Sequence, residues 1–201
     1  MAENTETPES KETPANEETK ESYVSDQLAV KMWSVLARDL HEGASTIVLH
    51  KAWDSNNNEF IIFPTYSGQD PGAIRPDVWM AWRHELKPPM AGHTRIRNFA
   101  EVVAAIPLRS AGVIGRIEAE QGLTRVEAAR RYASGEPGLI ALVLRVYRLA
   151  RTYKFKDVAA NEGDGQYVPL PWDVDLTDLT PAVDDEEFER RLAAIKSALG
   201  S

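Results

Sequence analysis

The chain has 201 residues, 22.4 kDa, no cysteine and a formal charge of −8 at pH 7. Without thiols it has no disulfide, no Cys-based zinc or iron–sulfur site and no thiolate nucleophile. No run of residues approaches the roughly 20 apolar positions that cross a bilayer, and the N-terminus has neither a basic nor an apolar signal region. A cytoplasmic protein with no membrane partner is the expectation.

Charge is spread unevenly. Residues 1–22 carry seven Glu against two Lys, and no large apolar side chain follows Met1. Such a segment buries too little surface to offset the entropy of ordering, so a disordered acidic leader is expected over 1–24, with one folded domain over 25–201. Residues 171–201 are acidic too, with eight acids against three bases. Between these ends, over 83–156, Arg and Lys outnumber Asp and Glu by at least two to one. A basic middle between acidic ends is a statement about partners, in which a polyanion competes with ordinary solvated helix faces.

From Ser25 the pattern becomes periodic. Leu28, Met32, Val35, Leu36 and Leu40 recur at helical spacing, ending at Gly43. A strand over 29–37 competes, because Trp33, Val35 and Ala37 also alternate. Residues 45–51 and 59–66 are short β-branched or aromatic runs around an Asn-rich link, which predicts an antiparallel hairpin, with Pro64 ending its second strand or lying on an edge. A short helix is expected near 76–86 and a strand over 95–108. A helical pair follows over 111–120 and 124–133, broken at Gly122, with Thr124 and Glu127 forming a capping box. Residues 139–149 read as a central strand and 166–170 as a last short one. The C-terminal helix, about 184–199, has acids at its positive end and a stripe of Phe188, Leu192, Ile195 and Leu199.

Chemistry-bearing motifs are scarce. His41, His50, His84 and His93 show no metal-ligand spacing, and phosphate-cradling glycine loops and a nucleophile elbow are missing from the sequence. The expectation is therefore no catalytic residue, no metal and no cofactor. The pair over 111–133 has helix-turn-helix length, but strands on both sides favour a plain helical hairpin. The most suggestive set mixes rings and bases in or beside strands: Lys51, Phe63, Tyr66, Arg95, Arg97, Arg145, Tyr147 and Arg148. Flat rings stack on bases while cations hold phosphates, which makes these the candidate contacts for RNA or DNA. Core packing of the aromatics is the competing account.

The ordered strings Trp33-x-Val35-x-Ala37, Gly43, Thr46-Ile-Val-Leu-x-Lys51, Phe60-Ile-Ile-Phe-Pro-Thr-Tyr66, Ala100-Glu-Val-Val103, Leu144-Arg-Val-Tyr-Arg-Leu149 and Asp185-Glu-Glu-Phe-Glu-x-Arg-Leu192 resemble a bacterial domain-of-unknown-function family, number 1802. The resemblance runs over about 28–199. The chain departs from that pattern at His50-Lys51-Ala52-Trp53, where the family has Arg-Lys-Gly-Gly. It departs again at Gly163-Asp-Gly-Gln-Tyr-Val168, where a Tyr-Gly-Gly-Cys stretch is common. More loosely, a helix, a Gly and a strand ending in a base are similar to the opening of ASCH and other PUA-like domains. That similarity implies a small barrel of the kind implicated in RNA or modified-nucleobase binding. The expected architecture is α+β, a mixed and partly closed β-barrel with peripheral helices and a C-terminal helix. The expected function is non-catalytic nucleic-acid binding. A scaffold protein with a protein partner and an unrecognised hydrolase or nuclease are the alternatives.

Overall fold

The computed structural model describes residues 26–54, 56–156, 165 and 167–200. The leader expected over 1–24 lies outside the described residues. Seven strands form one mixed sheet: β1 (Leu28–Trp33), β2 (Ile47–His50), β3 (Glu59–Thr65), β4 (His93–Pro107), β5 (Ile140–Lys156), β6 (Tyr167–Pro169) and β7 (Thr180–Pro181). Their spatial order is β2-β5-β4-β3-β1-β6, with β7 on the same edge of β5 as β2. The helices are α1 (Ser34–His41), α2 (Pro76–Trp82), α3 (Arg125–Ala133) and α4 (Asp185–Leu199).

The sheet curls because its inner face has one occupant set. Val30 and Met32 of β1, Val48 of β2, Phe60 and Ile62 of β3, Ala100 of β4, and Leu142, Leu144 and Val146 of β5 meet in a single apolar cluster. These are alternate residues on each strand, so one face of five strands converges inward. The two ends of the sheet, β2 and β6, then approach each other without a backbone ladder. His50 Nε2 lies 3.0 Å from the carbonyl oxygen of Gly165, and the rings of Trp53 and Tyr167 are 6.1 Å apart. Side chains thus span the gap of a partly closed barrel.

Two outer layers cover it. On one side Ile47, Leu49, Ile106, Ala141 and Val143 pack under Ile114, Ile117, Leu123 and Ala128, and under Phe188, Leu192 and Ile195 of α4. On the other, Ala29, Ile61, Phe63, Ile96, Phe99 and Phe155 pack under Val168, Leu170 and Val174. The α4 expectation matches closely: Asp184 caps it by accepting from the Glu187 N–H, and Gly200 closes it in the left-handed region.

Three sequence expectations change. The helix over 28–40 is a strand followed at once by a helix. Ala29, Val30, Lys31 and Met32 are all buried, as befits a strand covered on both faces. The helical spacing of Leu28, Met32 and Val35 is accidental, spanning a junction at Trp33–Ser34. The hairpin between β2 and β3 does not form: β2 pairs with β5, while β3 pairs parallel with β1 and antiparallel with β4. The Asn-rich link instead joins two strands separated in the sheet by β5 and β4, and Asp54 Oδ1 in it accepts from the Asn56 N–H. Finally, 111–120 folds as two 3-10 segments, Ala111–Arg116 and Glu118–Glu120, so no helix-turn-helix exists there. Gly122 is pressed against Leu36, leaving no room for a Cβ.

Candidate nucleic-acid interface

β4 and β5 are the longest strands, and their paired ends carry the most concentrated positive charge. His93 faces Lys156 and Arg95 faces Lys154 across the ladder. Thr94 and Ile96 on β4 and Phe155 on β5 are buried, so alternation sends His93, Arg95, Arg97, Lys154 and Lys156 to the opposite face, the one on the α1 side. Like charges directly opposite each other destabilise a sheet. Among the described residues no ion pair involves Arg95, Lys154 or Lys156. The 17 residues of β5 include five Arg or Lys and no acid.

Beside this ladder lies a small depression lined by Arg38 and His41 of α1, Tyr66, Glu85, and Arg95, Arg97 and Asn98 of β4. Glu85 is its one carboxylate, 3.4 Å from Arg97 and 3.7 Å from Arg38, which also pairs with Glu42, so two guanidinium groups share Glu85 and Arg95 has none of it. Burial pushes the Tyr66 hydroxyl above its ordinary range, against the pull of Thr94 and the Arg95 backbone. Burial also holds the His41 imidazole below its ordinary value. Neutral His41 donates from Nδ1 to the Asn98 Oδ1, 3.1 Å away. The depression therefore offers cations at its mouth and a neutral, oriented floor.

Of the eight candidate residues, Tyr66, Arg95 and Arg97 come together here. The other five do not join them. Phe63 is buried in the outer apolar layer and cannot stack on a base, because its whole ring is already covered. Arg145 is buried as well. Its guanidinium pairs with the Asp185 carboxylate, donates to the Asp184 carbonyl at 3.3 Å and lies 4.6 Å over the Phe188 ring. It fastens α4 to the barrel. Arg148 donates to the carbonyls of His41 at 2.9 Å and Ala182 at 3.3 Å, tying α1 to β7. Tyr147 donates its hydroxyl to Glu101 at 3.0 Å, and burial, with that carboxylate, raises its pKa. Lys51 donates to the carbonyls of Tyr132, Glu136 and Gly138, where it satisfies orphan acceptors after α3.

The sequence reading missed His93, Lys154 and Lys156, and with them Arg38 and His41. The signal for the first three was present. Residues 153–156 continue the alternation of β5 beyond Leu149, and His93 shares the parity of Arg95 and Arg97. What hid the extension was a break in register: Leu149–Thr152 bulge opposite Arg97, since Ile96 faces Tyr153 while Asn98 faces Arg148. Arg38 and His41 arrive from another element, which strand patterning does not reveal.

Among the described residues no helix is long and apolar enough to cross a membrane. Crystal structures of an ASCH protein from Zymomonas mobilis are similar over 83% of this chain and 94% of theirs, at 13% identity and a TM-score of 0.41. A mutant form of the same protein aligns over 84% and 98%, with the same identity and TM-score. No curated protein matches the chain. A family model described as domain of unknown function DUF1802 matches residues 29–194, a span that takes in β1 through most of α4. The chain belongs to the DUF1802 family.

Proposed function

We propose that the protein binds nucleic acid without catalysis, through the α1-side face of the β4–β5 ribbon. The observation that carries this reading is the like-charge pair of Arg95 opposite Lys154, with Lys156 and Arg97 beside it on the same face. A cross-strand arrangement that costs stability is supported by an external counter-charge, and a phosphate backbone supplies one. Alternate residues along a strand recur about every 6.8 Å, so His93 to Arg97 spans roughly 13 Å. Arg95, Arg97, Lys154 and Lys156 would contact phosphates, and the partly covered Tyr66 ring would border the track. The ladder consists of side chains on two rigid strands, so its charges are held at fixed spacing.

The test is fluorescence anisotropy with labelled single- and double-stranded RNA and DNA. Arg95→Gln combined with Lys154→Gln should strongly weaken binding to whichever of the four the native protein prefers, with a melting temperature equal to the native one or higher. Unchanged affinity in that variant rejects the ribbon as the interface. Failure of the native protein to bind any of the four rejects nucleic-acid binding and leaves a protein partner as the reading to pursue.

A further inference from the structure

The acids that form ion pairs within the fold hold their charge away from the paired ends of β4 and β5. Asp175 pairs with Arg151, Asp185 with Arg145, and Glu187 with Arg190 and Arg191. Glu85, the nearest, is taken by Arg97 and Arg38. Among the described residues none of these acids pairs with Arg95, Lys154 or Lys156. Both lysines are exposed, and Arg95 is half-buried at the depression. Exposed Arg83 and Lys87 flank Glu85 and add the same sign close by. A group of fixed cations without an acid of its own is a surface of unbalanced potential, and it draws any free polyanion within reach.

One such polyanion belongs to the chain itself. Residues 1–22 hold seven Glu, from Glu3 to Glu21, against Lys11 and Lys20. No large apolar side chain lies between Met1 and Tyr23, so charge is what the segment has to offer a surface. It is also within reach. Ala29 of β1 pairs with Ile61 of β3, which pairs with Phe99 of β4. Two inter-strand steps and four residues along β4 then separate Ala29 from Arg95, roughly 16 Å. A chain extends up to about 3.4 Å per residue, so Glu18 can stand up to roughly 37 Å from Ala29, a margin that covers the detour to the α1-side face. Covalent attachment holds the segment at an effective concentration of about a millimolar, which populates a contact too weak to form between separate molecules.

We propose that the acidic segment over residues 3–21 docks on the α1-side face of the β4–β5 ribbon and competes there with nucleic acid for Arg95, Lys154 and Lys156. This rests on the reading of that face as a phosphate-binding surface and adds its regulation. The Glu carboxylates stand in for phosphates until a polyanion of higher charge density displaces them. Duplex DNA carries one negative charge per about 1.7 Å of its axis, far denser than seven carboxylates distributed between residues 3 and 21. The segment therefore raises the threshold for binding without closing the surface, and it turns away weakly charged ligands in favour of long, dense ones.

The test uses the full chain, whose lack of cysteine allows a single nitroxide label at Ser10→Cys. Peak heights in a two-dimensional ¹H–¹⁵N spectrum are compared with the label oxidised and reduced. At low salt the amides of 93–97 and 154–156 should broaden selectively, and those of α4 should not. The broadening should disappear at about 1 M salt, where the screening length falls to about 3 Å. It should also disappear in a sevenfold variant running from Glu3→Gln to Glu21→Gln, which keeps the length of the chain. In anisotropy at low salt, that variant without the label should bind the preferred nucleic acid about three- to fivefold tighter than the native protein. This is the factor that an effective concentration of about a millimolar gives against a contact of a few tenths of a millimolar. The difference should close as salt rises. The proposal is overturned if the broadening is spread evenly over the surface, if it survives in the sevenfold variant, or if the two proteins bind nucleic acid equally well. Binding by neither protein rejects the phosphate-binding reading, and it is told apart from failed docking because the broadening is read with no nucleic acid present.

Discussion

Arg145 and Arg95 show how one residue type takes opposite roles on neighbouring strands. Arg145 spends its charge inside the molecule, on Asp185, on the Asp184 carbonyl and on the Phe188 ring. Arg95 has no ion-pair partner among the described residues and faces Lys154 instead. Arg145→Ala is therefore expected to destabilise the fold by about 1–3 kcal/mol, through lost packing and lost bonds at the base of α4, while leaving nucleic-acid affinity within twofold of native. Arg95→Ala and Lys154→Ala are expected to do the reverse. Each should lower the salt slope of binding by about one and leave stability unchanged or slightly improved. Chemical denaturation beside anisotropy separates the two outcomes for each variant. From the sequence, these arginines looked alike, since both stand in or beside predicted strands. Alternation along a strand puts Arg145 and Tyr147 on one face, but it does not say which faces are covered by a helix that begins 40 residues later.

At the scale of elements, the junctions are where sequence patterning ran out. The strand-to-helix switch at Trp33–Ser34 has no capping side chain, so no local signal marks it. The link from β2 to β3 carried genuine turn chemistry at Asp54, yet turn chemistry does not choose pairing partners. The first part of β5, the α3 cap by Thr124 and the entire C-terminal helix were legible, because each is specified by residues within a few positions of one another. Two predictions belong here. Gly43 ends α1 with φ of +72°, and a Cβ there would lie 2.6 Å from Val183 Cγ2 and 2.7 Å from the Ala182 carbonyl oxygen. Gly43→Ala is expected to cost about 2–4 kcal/mol, combining left-handed strain with a clash against the approach to α4, measurable by urea denaturation. The second concerns acid. Glu187 on α4 accepts from Arg190 and Arg191, which lower its pKa to about 2 from an ordinary 4.5. Because the folded value is the lower one, its contribution is present above about pH 4.5 and is lost as pH falls toward 2. The melting-temperature difference between native protein and Glu187→Gln should accordingly be constant near neutrality and shrink through that window. A difference independent of pH would show that Glu187 acts through packing alone.

Across the whole molecule, net charge misdescribes the surface. The overall figure is −8, yet the acids are concentrated at the two ends of the chain while β5 has none. The fold gathers bases from β4 and β5 onto one face of the ribbon, on the side of α1, and adds Arg38 from that helix beside it. The partly closed barrel provides the rigidity, because one apolar cluster joins five of its strands. Neutralisation of phosphates by this ribbon is tested by the dependence of native-protein affinity for labelled nucleic acid on salt concentration. With Arg95, Arg97, Lys154 and Lys156 each displacing counterions, log affinity should fall with log salt at a slope of about −3 to −4. A slope near zero, or no measurable affinity even at low salt, would contradict it.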